Sequence, residues 1–129
     1  MTYHVTRLAD VDEQSMVGID QFPDRYRMLS EALDLSEMRA NVWYFEPGEA
    51  LVFHAHETQE ELVFVLEGEF ELTIGHPGEE ETHELGPGSM YAASPDVGRG
   101  IENVGDTEGS VLAVGAPAVD DMPMDPDRA

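Results

Sequence analysis

The sequence of 129 residues contains no cysteine and no lysine. Without cysteine the chain can form no disulfide, offers no thiolate nucleophile and cannot build a cysteine-ligated zinc site. Its longest apolar run, LVFVL at residues 62–66, has the length of a strand and is far too short for a membrane-spanning helix. Residues 1–10 also lack an apolar run, so we expect no signal peptide, no membrane contact and a cytoplasmic location.

Basic residues are scarce, since six arginines face 28 aspartates and glutamates, giving a formal net charge of −22. Such a charge excludes a basic nucleic-acid-binding surface and contact with an anionic membrane. The acids are scattered from Asp10 to Asp127 instead of forming one block, which favours a solvated acidic surface over an acidic imitation of nucleic acid. We therefore predict a halophilic protein that works in molar salt, where the screening length shrinks to about 3 Å.

Turn-forming residues divide most of the chain into short segments. Twelve glycines and eight prolines separate runs such as ANVWYF, ELVFVL and SVLAVGA. Short β-rich segments with such turns are typical of antiparallel sandwiches and barrels, so the sequence predicts an all-β protein. Residues 70–85 predict a hairpin, because Phe70, Leu72 and Ile74 alternate with polar residues ahead of a Pro-Gly turn.

The chain is long enough for one hydrophobic core and too short for two. We predict an N-terminal arm at residues 1–40 that packs on a barrel formed by residues 41–116. Within the arm, residues 24–38 fit either a short helix or an irregular segment. Residues 117–129 combine prolines with charges, which predicts a flexible acidic tail.

The stretch HAHETQEE at residues 54–61 is the best candidate for chemistry. If ALVFHAH is a strand, its alternation places His54 and His56 on one face together with Val52. Two imidazoles and one carboxylate, from Glu60 or Glu61, could hold iron, manganese, nickel or zinc. The alternative is that both histidines are polar residues of the barrel wall, hydrogen-bonded to protein groups.

The spacing around this pair resembles the first signature of the cupin superfamily. The matching positions are Gly48, His54, His56, Glu61 and Gly68. The position of Gly68 selects Glu61 over Glu60 as the equivalent of the family's metal ligand. The resemblance covers Trp43 to Ala116 and implies a single-domain jelly-roll barrel, the double-stranded β-helix, with a pocket for a small molecule.

The family's second signature is matched only in part by GPGSMYAASPDVGRGIEN. Its counterparts here are Gly88, Pro95 (displaced by one residue), Asp96 in place of a glycine, and Asn103. The third metal histidine of the family falls on Arg99, which cannot lose its proton to become a ligand. Arg99 would suit pairing with Glu61 or capture of a carboxylate. We predict that Arg99 and Asn103 lie in the pocket, while His83 reaches it only if its strand faces inward.

Three functions fit these observations. The first is a mononuclear metal-dependent enzyme, dioxygenase-like or isomerase-like, that uses His54, His56 and Glu61. The second is a metal-free or weakly metal-binding cupin that binds a small carboxylate with Arg99. The third is a barrel that serves as an interaction module. The fold does not identify the substrate.

The resemblance also implies a homodimer, because such barrels bury an edge strand or a face against a second copy. The nearly uncharged segment at residues 110–119 and the N-terminal arm are the candidate contacts. Trp43 or Tyr44, and Met90 or Tyr91, could approach the pocket mouth, although core packing is their commoner role.

Overall fold

The computed structural model describes residues 2–15 and 22–119, and within them it consists almost entirely of strands. The strands are β1 (Glu13–Ser15), β2 (Arg25–Met28), β3 (Arg39–Phe45), β4 (Ala50–His54), β5 (Glu60–Glu67), β6 (Phe70–Gly75), β7 (Glu81–Leu85), β8 (Met90–Ala93), β9 (Gly98–Asn103) and β10 (Gly109–Ala116). A 3-10 turn at Leu8–Asp10 precedes β1, and one short helix, α1 (Leu29–Ala32), follows β2. The prediction of an all-β fold is confirmed. The predicted acidic tail lies outside the described residues from residue 120 onward.

The strands form two antiparallel sheets that face each other across the core. The larger sheet has the order β1-β2-β3-β10-β5-β8, and the smaller has the order β4-β9-β6-β7. The predicted hairpin is present as β6 and β7, with Phe70 opposite Leu85. Phe70 and Leu72 are almost fully buried and Ile74 packs against the core, as their alternation predicts.

The core between the sheets is built from the inward residues of both. Its members are Trp43, Phe45, Leu51, Val63, Val65, Phe70, Leu72, Leu85, Tyr91, Ile101, Val111 and Ala113. Phe45 and Phe70 meet edge to face with ring centroids 5.1 Å apart, which joins the centres of the two sheets. Trp43 and Tyr91 belong to this core, whereas Met90 is 56% exposed. Tyr44 lies on the outer side, beneath the guanidinium groups of Arg25 and Arg27.

The N-terminal residues extend the larger sheet. β2 pairs with β3 along Arg25–Met28, and β1 pairs with β2. Residues 24–38 were predicted to form either a short helix or an irregular segment. The structure contains the short helix α1 in this range, and it also contains strand β2, which neither alternative included. The apolar segment at 110–119 forms most of β10, and both edges of β10 are paired, to β3 and to β5. It therefore offers no free edge to a second copy, only its outer face.

The structure explains the residue type at two positions of the cupin-like signatures, Gly68 and Asp96. A Cβ atom on Gly68 would lie 2.7 Å from the Cα atom of Gly109, so only glycine lets these two backbones approach. Asp96, which replaces a family glycine, has a φ angle of +75°. Aspartate tolerates this left-handed conformation better than most residues, so the local turn persists without the glycine. Within the described residues, no helix is long and apolar enough to cross a membrane.

Candidate functional site

Strand β4 carries the two histidines, and a register shift decides which of its residues face inward. Leu51 lies opposite Ile101, but His54 lies opposite Arg99. Strand β4 therefore has one more residue than β9 over this interval, as in a β-bulge. The alternation is therefore interrupted between Leu51 and His54. Leu51 is buried in the core and Val52 is 42% exposed. The expectation that Val52 shares the face of His54 is wrong, because the extra residue turns Val52 outward.

Gly100 accommodates this shift. A Cβ atom at Gly100 would lie 2.9 Å from the backbone nitrogen of Phe53 and 3.2 Å from the carbonyl oxygen of Leu51. Any side chain here would push the extra residue of β4 away from β9. The glycine next to Arg99 thus lets β4 turn His54 toward the core side.

The structure brings His54, His56 and Glu61 together. Each offers one donor atom, and these three atoms lie within 4.8 Å of one another. Both histidines are buried, with rings edge to face and centroids 5.0 Å apart. Glu61 lies opposite Gly115 of β10, at the start of β5. Its neighbour Glu60 is exposed, so the choice of Glu61 over Glu60 agrees with the geometry.

His54 is held in one orientation and one charge state. Its Nδ1 atom lies 2.7 Å from the carbonyl oxygen of Val52, and a carbonyl can only accept, so Nδ1 donates and Nε2 keeps its lone pair. Burial lowers the pKa of His54 to about 4, a depression to which His56 and Arg99 add, and which outweighs the hydrogen bond to Val52. At neutral pH the ring is uncharged, as a metal ligand must be.

Arg99 lies beneath this cluster and is completely buried. Its Nη1 donates to the carbonyl oxygen of Val97 at 2.6 Å, and its Nε lies 3.5 Å from Oε1 of Glu61. Nε and Nη2 are buried without a hydrogen-bond partner among the described residues. The pairing with Glu61 that the sequence suggested is thus present. Arg99 itself is not among the residues that line the adjoining cavity.

Asn103 and His83 lie apart from the cluster. The amide nitrogen of Asn103 donates to the carbonyl oxygens of Phe45 and Thr107, and its Oδ1 accepts from the backbone N–H of Gly105. Asn103 therefore holds a turn, and it is not a lining residue of the cavity that the histidines face. His83 is half exposed on β7, with its Nε2 3.2 Å from Glu81.

A cavity of about 180 Å³ opens over the cluster. Its lining residues are Phe22, Arg39, Asn41, Trp43, Leu51, His54, His56, Gln59, Glu61, Ala113 and Gly115. Phe22 stacks on Trp43 with centroids 5.5 Å apart and an interplanar angle of 15°. Sequence reasoning missed Asn41, Arg39 and Gln59. For Asn41 a signal existed, because it is an amide inside the otherwise apolar run ANVWYF.

The donor set fits a divalent transition metal. Two imidazoles and one carboxylate on one side are a facial set that leaves other coordination positions open. The fixed tautomer of His54 and the near contact of Glu61 with Arg99 supply the supporting contacts that such ligands require. Arg99, which the resemblance aligns with a further metal histidine of the family, cannot ligate a metal, so the residues present fit a three-ligand site.

Solved structures with the same fold are numerous. A sugar phosphate isomerase of the cupin superfamily from Silicibacter pomeroyi DSS-3 is 24% identical, with a TM-score of 0.73, and the match covers 87% of this chain and 74% of that one. An RmlC-like cupin from Shewanella frigidimarina NCIMB 400 is 20% identical, with a TM-score of 0.72, covering 93% and 97%. KdgF from a Halomonas species is also 20% identical, with a TM-score of 0.72, covering 92% and 97%.

Sequence comparison leads to the same family. No curated protein matches the sequence. Residues 41–115 match the sequence model of the cupin domain, and this range contains both histidines, Glu61, Arg99 and nearly the whole predicted barrel. The chain therefore belongs to the cupin superfamily.

Proposed function

We propose that this cupin binds one divalent transition metal (iron, manganese, nickel or zinc) through His54, His56 and Glu61 and acts on a small molecule held in the cavity above them. The observation that carries the proposal is the convergence of three donor atoms within 4.8 Å in the wall of that cavity. A bound metal would supply Lewis-acid or redox chemistry, in an isomerase-like or dioxygenase-like reaction. The fold shared with a sugar phosphate isomerase is compatible with the former but does not select it.

The chain's own residues would perform separate tasks in such a site. His54 presents Nε2 because Val52 holds Nδ1, and burial keeps the ring neutral. Glu61 supplies the charge that a cation requires, and Arg99 lies behind that carboxylate to orient it. The stacked Phe22 and Trp43 form an apolar wall that excludes water from one side of the ligand.

A second candidate function rests on Arg99. Its Nε is 3.5 Å from Glu61, and the guanidinium already supplies a positive charge beside the only carboxylate of the cluster. A cation added there is opposed by Coulomb repulsion. In this alternative the protein binds a small carboxylate without metal, or with weak metal affinity.

Elemental analysis decides between the two candidates. The protein is purified in molar salt without chelator, and its content of iron, manganese, nickel and zinc is measured, followed by titration of the metal-depleted protein with each ion. We expect about one equivalent of metal for the native chain and none for His56→Ala. The matched control is His83→Ala, which removes an exposed histidine that is outside the cluster.

The two candidates differ sharply in the expected result. Absence of metal after purification, combined with no saturable binding at micromolar concentration, refutes the metal proposal and leaves the metal-free binder. One equivalent retained in both variants would show that the ion sits elsewhere, on the acidic surface for example. In that case the cluster has no role in metal binding.

We also propose that the protein is a homodimer, as the resemblance implies. The support is the outer face of the larger sheet, where Leu62 is 43% exposed and Met90 is 56% exposed on the paired strands β5 and β8. Covering such residues removes apolar surface from water. Light scattering in molar salt tests the assembly, and a monomer mass contradicts it.

A further inference from the structure

The cavity has one polar group that neither the fold nor the proposed metal site explains. Asn41 lies in its wall, and Oδ1 of Asn41 is buried without a hydrogen-bond partner among the described residues. Buried polar atoms of folded proteins are satisfied with few exceptions, and each exception needs a cause. An apolar residue of the same shape would avoid this cost at no loss to the core. The orphaned amide therefore points to a ligand.

The chemistry of an amide defines what that ligand must carry. An amide offers an acceptor on one side and donors on the other, while a hydroxyl both donates and accepts. A ligand hydroxyl thus satisfies Asn41 whichever way its amide is turned, and a purely apolar ligand leaves it unsatisfied. Sites built to bind a hydroxyl reject analogues that lack it far more strongly than apolar pockets discriminate by size.

The neighbouring wall accepts the apolar face of the same molecule. Trp43 is two residues from Asn41 on β3, so both side chains project from the same side of the strand. The indole is only 8% exposed and stacks on Phe22, which fixes its ring plane. A flat aromatic surface beside a hydrogen-bonding amide suits a molecule with C–H groups on one side and hydroxyls at its edge.

The charges around the cavity differ from those of the rest of the protein. Within the described residues, its lining contains one carboxylate, that of Glu61, and one guanidinium, that of Arg39. Arg99 lies 3.5 Å behind the carboxylate. Two of the six arginines thus adjoin the cavity of a chain whose net charge is −22. An anion repelled by the general surface finds two guanidinium groups beside the cavity once salt has screened the distant acids.

We propose that the cavity selects a small hydroxylated organic anion, with a hydroxyl on Asn41, its C–H face on Trp43 and its anionic group toward Arg39. This inference rests on the proposed function only in assuming that the cavity binds a small molecule. Its volume of about 180 Å³ is below the roughly 300–1,000 Å³ typical of drug-sized ligands, so the ligand is no larger than a monosaccharide acid.

Trp43 is the single tryptophan of the chain, so its fluorescence reports on the cavity without labelling. Protein as purified in molar salt is titrated with gluconate, with hexanoate, which lacks hydroxyls, and with sorbitol, which lacks charge. Glucose 6-phosphate in a fourth titration distinguishes a phosphate from a carboxylate as the anionic group. The metal content of the same sample is measured. We expect saturable binding of gluconate or glucose 6-phosphate at least about tenfold tighter than that of hexanoate or sorbitol.

Asn41→Leu, which keeps the size of the side chain, tests the amide directly. This substitution should lower the affinity for the hydroxylated anion about tenfold and change the affinity for hexanoate less than twofold. Its unfolding midpoint should equal or exceed that of the native chain, because a buried unsatisfied oxygen has been removed. Asn41→Ala, with a smaller side chain, should show the same loss of selectivity. This control distinguishes the loss of the amide from steric hindrance by leucine.

Arg39→Gln tests the charge. This substitution should lower the affinities for gluconate and hexanoate by the same factor and leave the affinity for sorbitol unchanged. The matched control is Arg7→Gln, which removes the same charge from an exposed arginine that pairs with Asp10. That control should alter no affinity.

Several outcomes overturn the inference. Hexanoate binding as tightly as gluconate, selectivity retained in Asn41→Leu, or no saturable binding of any of the four compounds each refutes it. If the last result comes with one bound metal, the proposed metal site stands and only the ligand class fails. Gluconate binding that depends on Asn41 in a protein without metal supports the ligand class and refutes the metal proposal.

Discussion

The two ends of β9 share a strand and an inward face but differ in how their polar side chains are satisfied. At one end Asn103 makes three hydrogen bonds to backbone groups. At the other end Arg99 is equally buried, yet two of its nitrogen atoms have no hydrogen-bond partner among the described residues. A satisfied buried group stabilises a fold, whereas an unsatisfied one costs stability and indicates another task. The family signature covers both ends, and only the structure separates their tasks.

The largest expected effect concerns the satisfied end. Asn103→Ala removes three hydrogen bonds of a buried side chain, two donated to the carbonyl oxygens of Phe45 and Thr107 and one accepted from the N–H of Gly105, so the free energy of unfolding should fall by about 3 kcal/mol. Urea denaturation at constant molar salt measures the change. Asn103→Asp, which keeps the acceptor but turns a carboxylate oxygen toward the two carbonyl oxygens at a buried position, should lose at least as much. If a folded Asn103→Ala protein loses metal or ligand binding instead, Asn103 belongs to the pocket after all.

The next effect is a pH dependence that arises at the other end. The pKa of His54 is about 4 in the folded chain against 6.5 when unfolded, so between these values the unfolded chain binds a proton that the folded chain does not. The stability contribution is therefore full above pH 6.5 and is lost as the pH falls toward 4, by at most about 3 kcal/mol. Denaturation curves of metal-free protein at several pH values measure it.

His54→Gln isolates this contribution from the many titrating acids. The native chain should lose more stability than His54→Gln between pH 6.5 and 4, whereas His83→Gln, at an exposed position, should follow the native slope. Parallel curves for the native chain and His54→Gln would show that burial does not depress the pKa of this imidazole.

A smaller effect is expected for metal affinity at Arg99. Arg99→His removes a buried positive charge and adds a fourth donor, so affinity for manganese should rise at least about tenfold, equal to about 1.4 kcal/mol. Arg99→Met removes the charge without adding a donor and separates the two contributions. Calorimetric titration in molar salt measures all three proteins. Tight stoichiometric binding by the native chain, unchanged in Arg99→His, would show that Arg99 does not hinder the site.

The smallest effect is expected at His83. Its side chain is half exposed and pairs with Glu81, so His83→Ala should change the free energy of unfolding by less than about 0.5 kcal/mol and leave metal content unaltered. The same denaturation and elemental measurements apply. A clear loss of metal would mean that β7 folds over the site in solution.

The sequence by itself determined the class of fold and the identity of the cluster. Short apolar runs between glycines and prolines favour paired strands, and the resemblance of the interval from Gly48 to Gly68 to the first cupin signature implied Glu61 as the third donor. Counting back from Asn103 in the second cupin signature placed Arg99 where the resemblance implies a histidine. The fold prediction is confirmed, and the three residues do lie together in the structure, because both depend on spacing along neighbouring strands.

The tertiary structure decided what depends on contacts between distant strands. Strict alternation placed Val52 beside His54, and the register shift against Gly100 reversed that assignment. Position within the signature suggested a pocket role for Asn103. In the structure its amide nitrogen donates to the carbonyl oxygen of Phe45, which is 58 residues away in the sequence. Asn41 stands out in the sequence only as an amide in an apolar run, whereas the lack of a hydrogen-bond partner for its buried Oδ1 among the described residues is visible only in the folded structure. Register and hydrogen-bond satisfaction are properties of strand pairs, and no single segment encodes them.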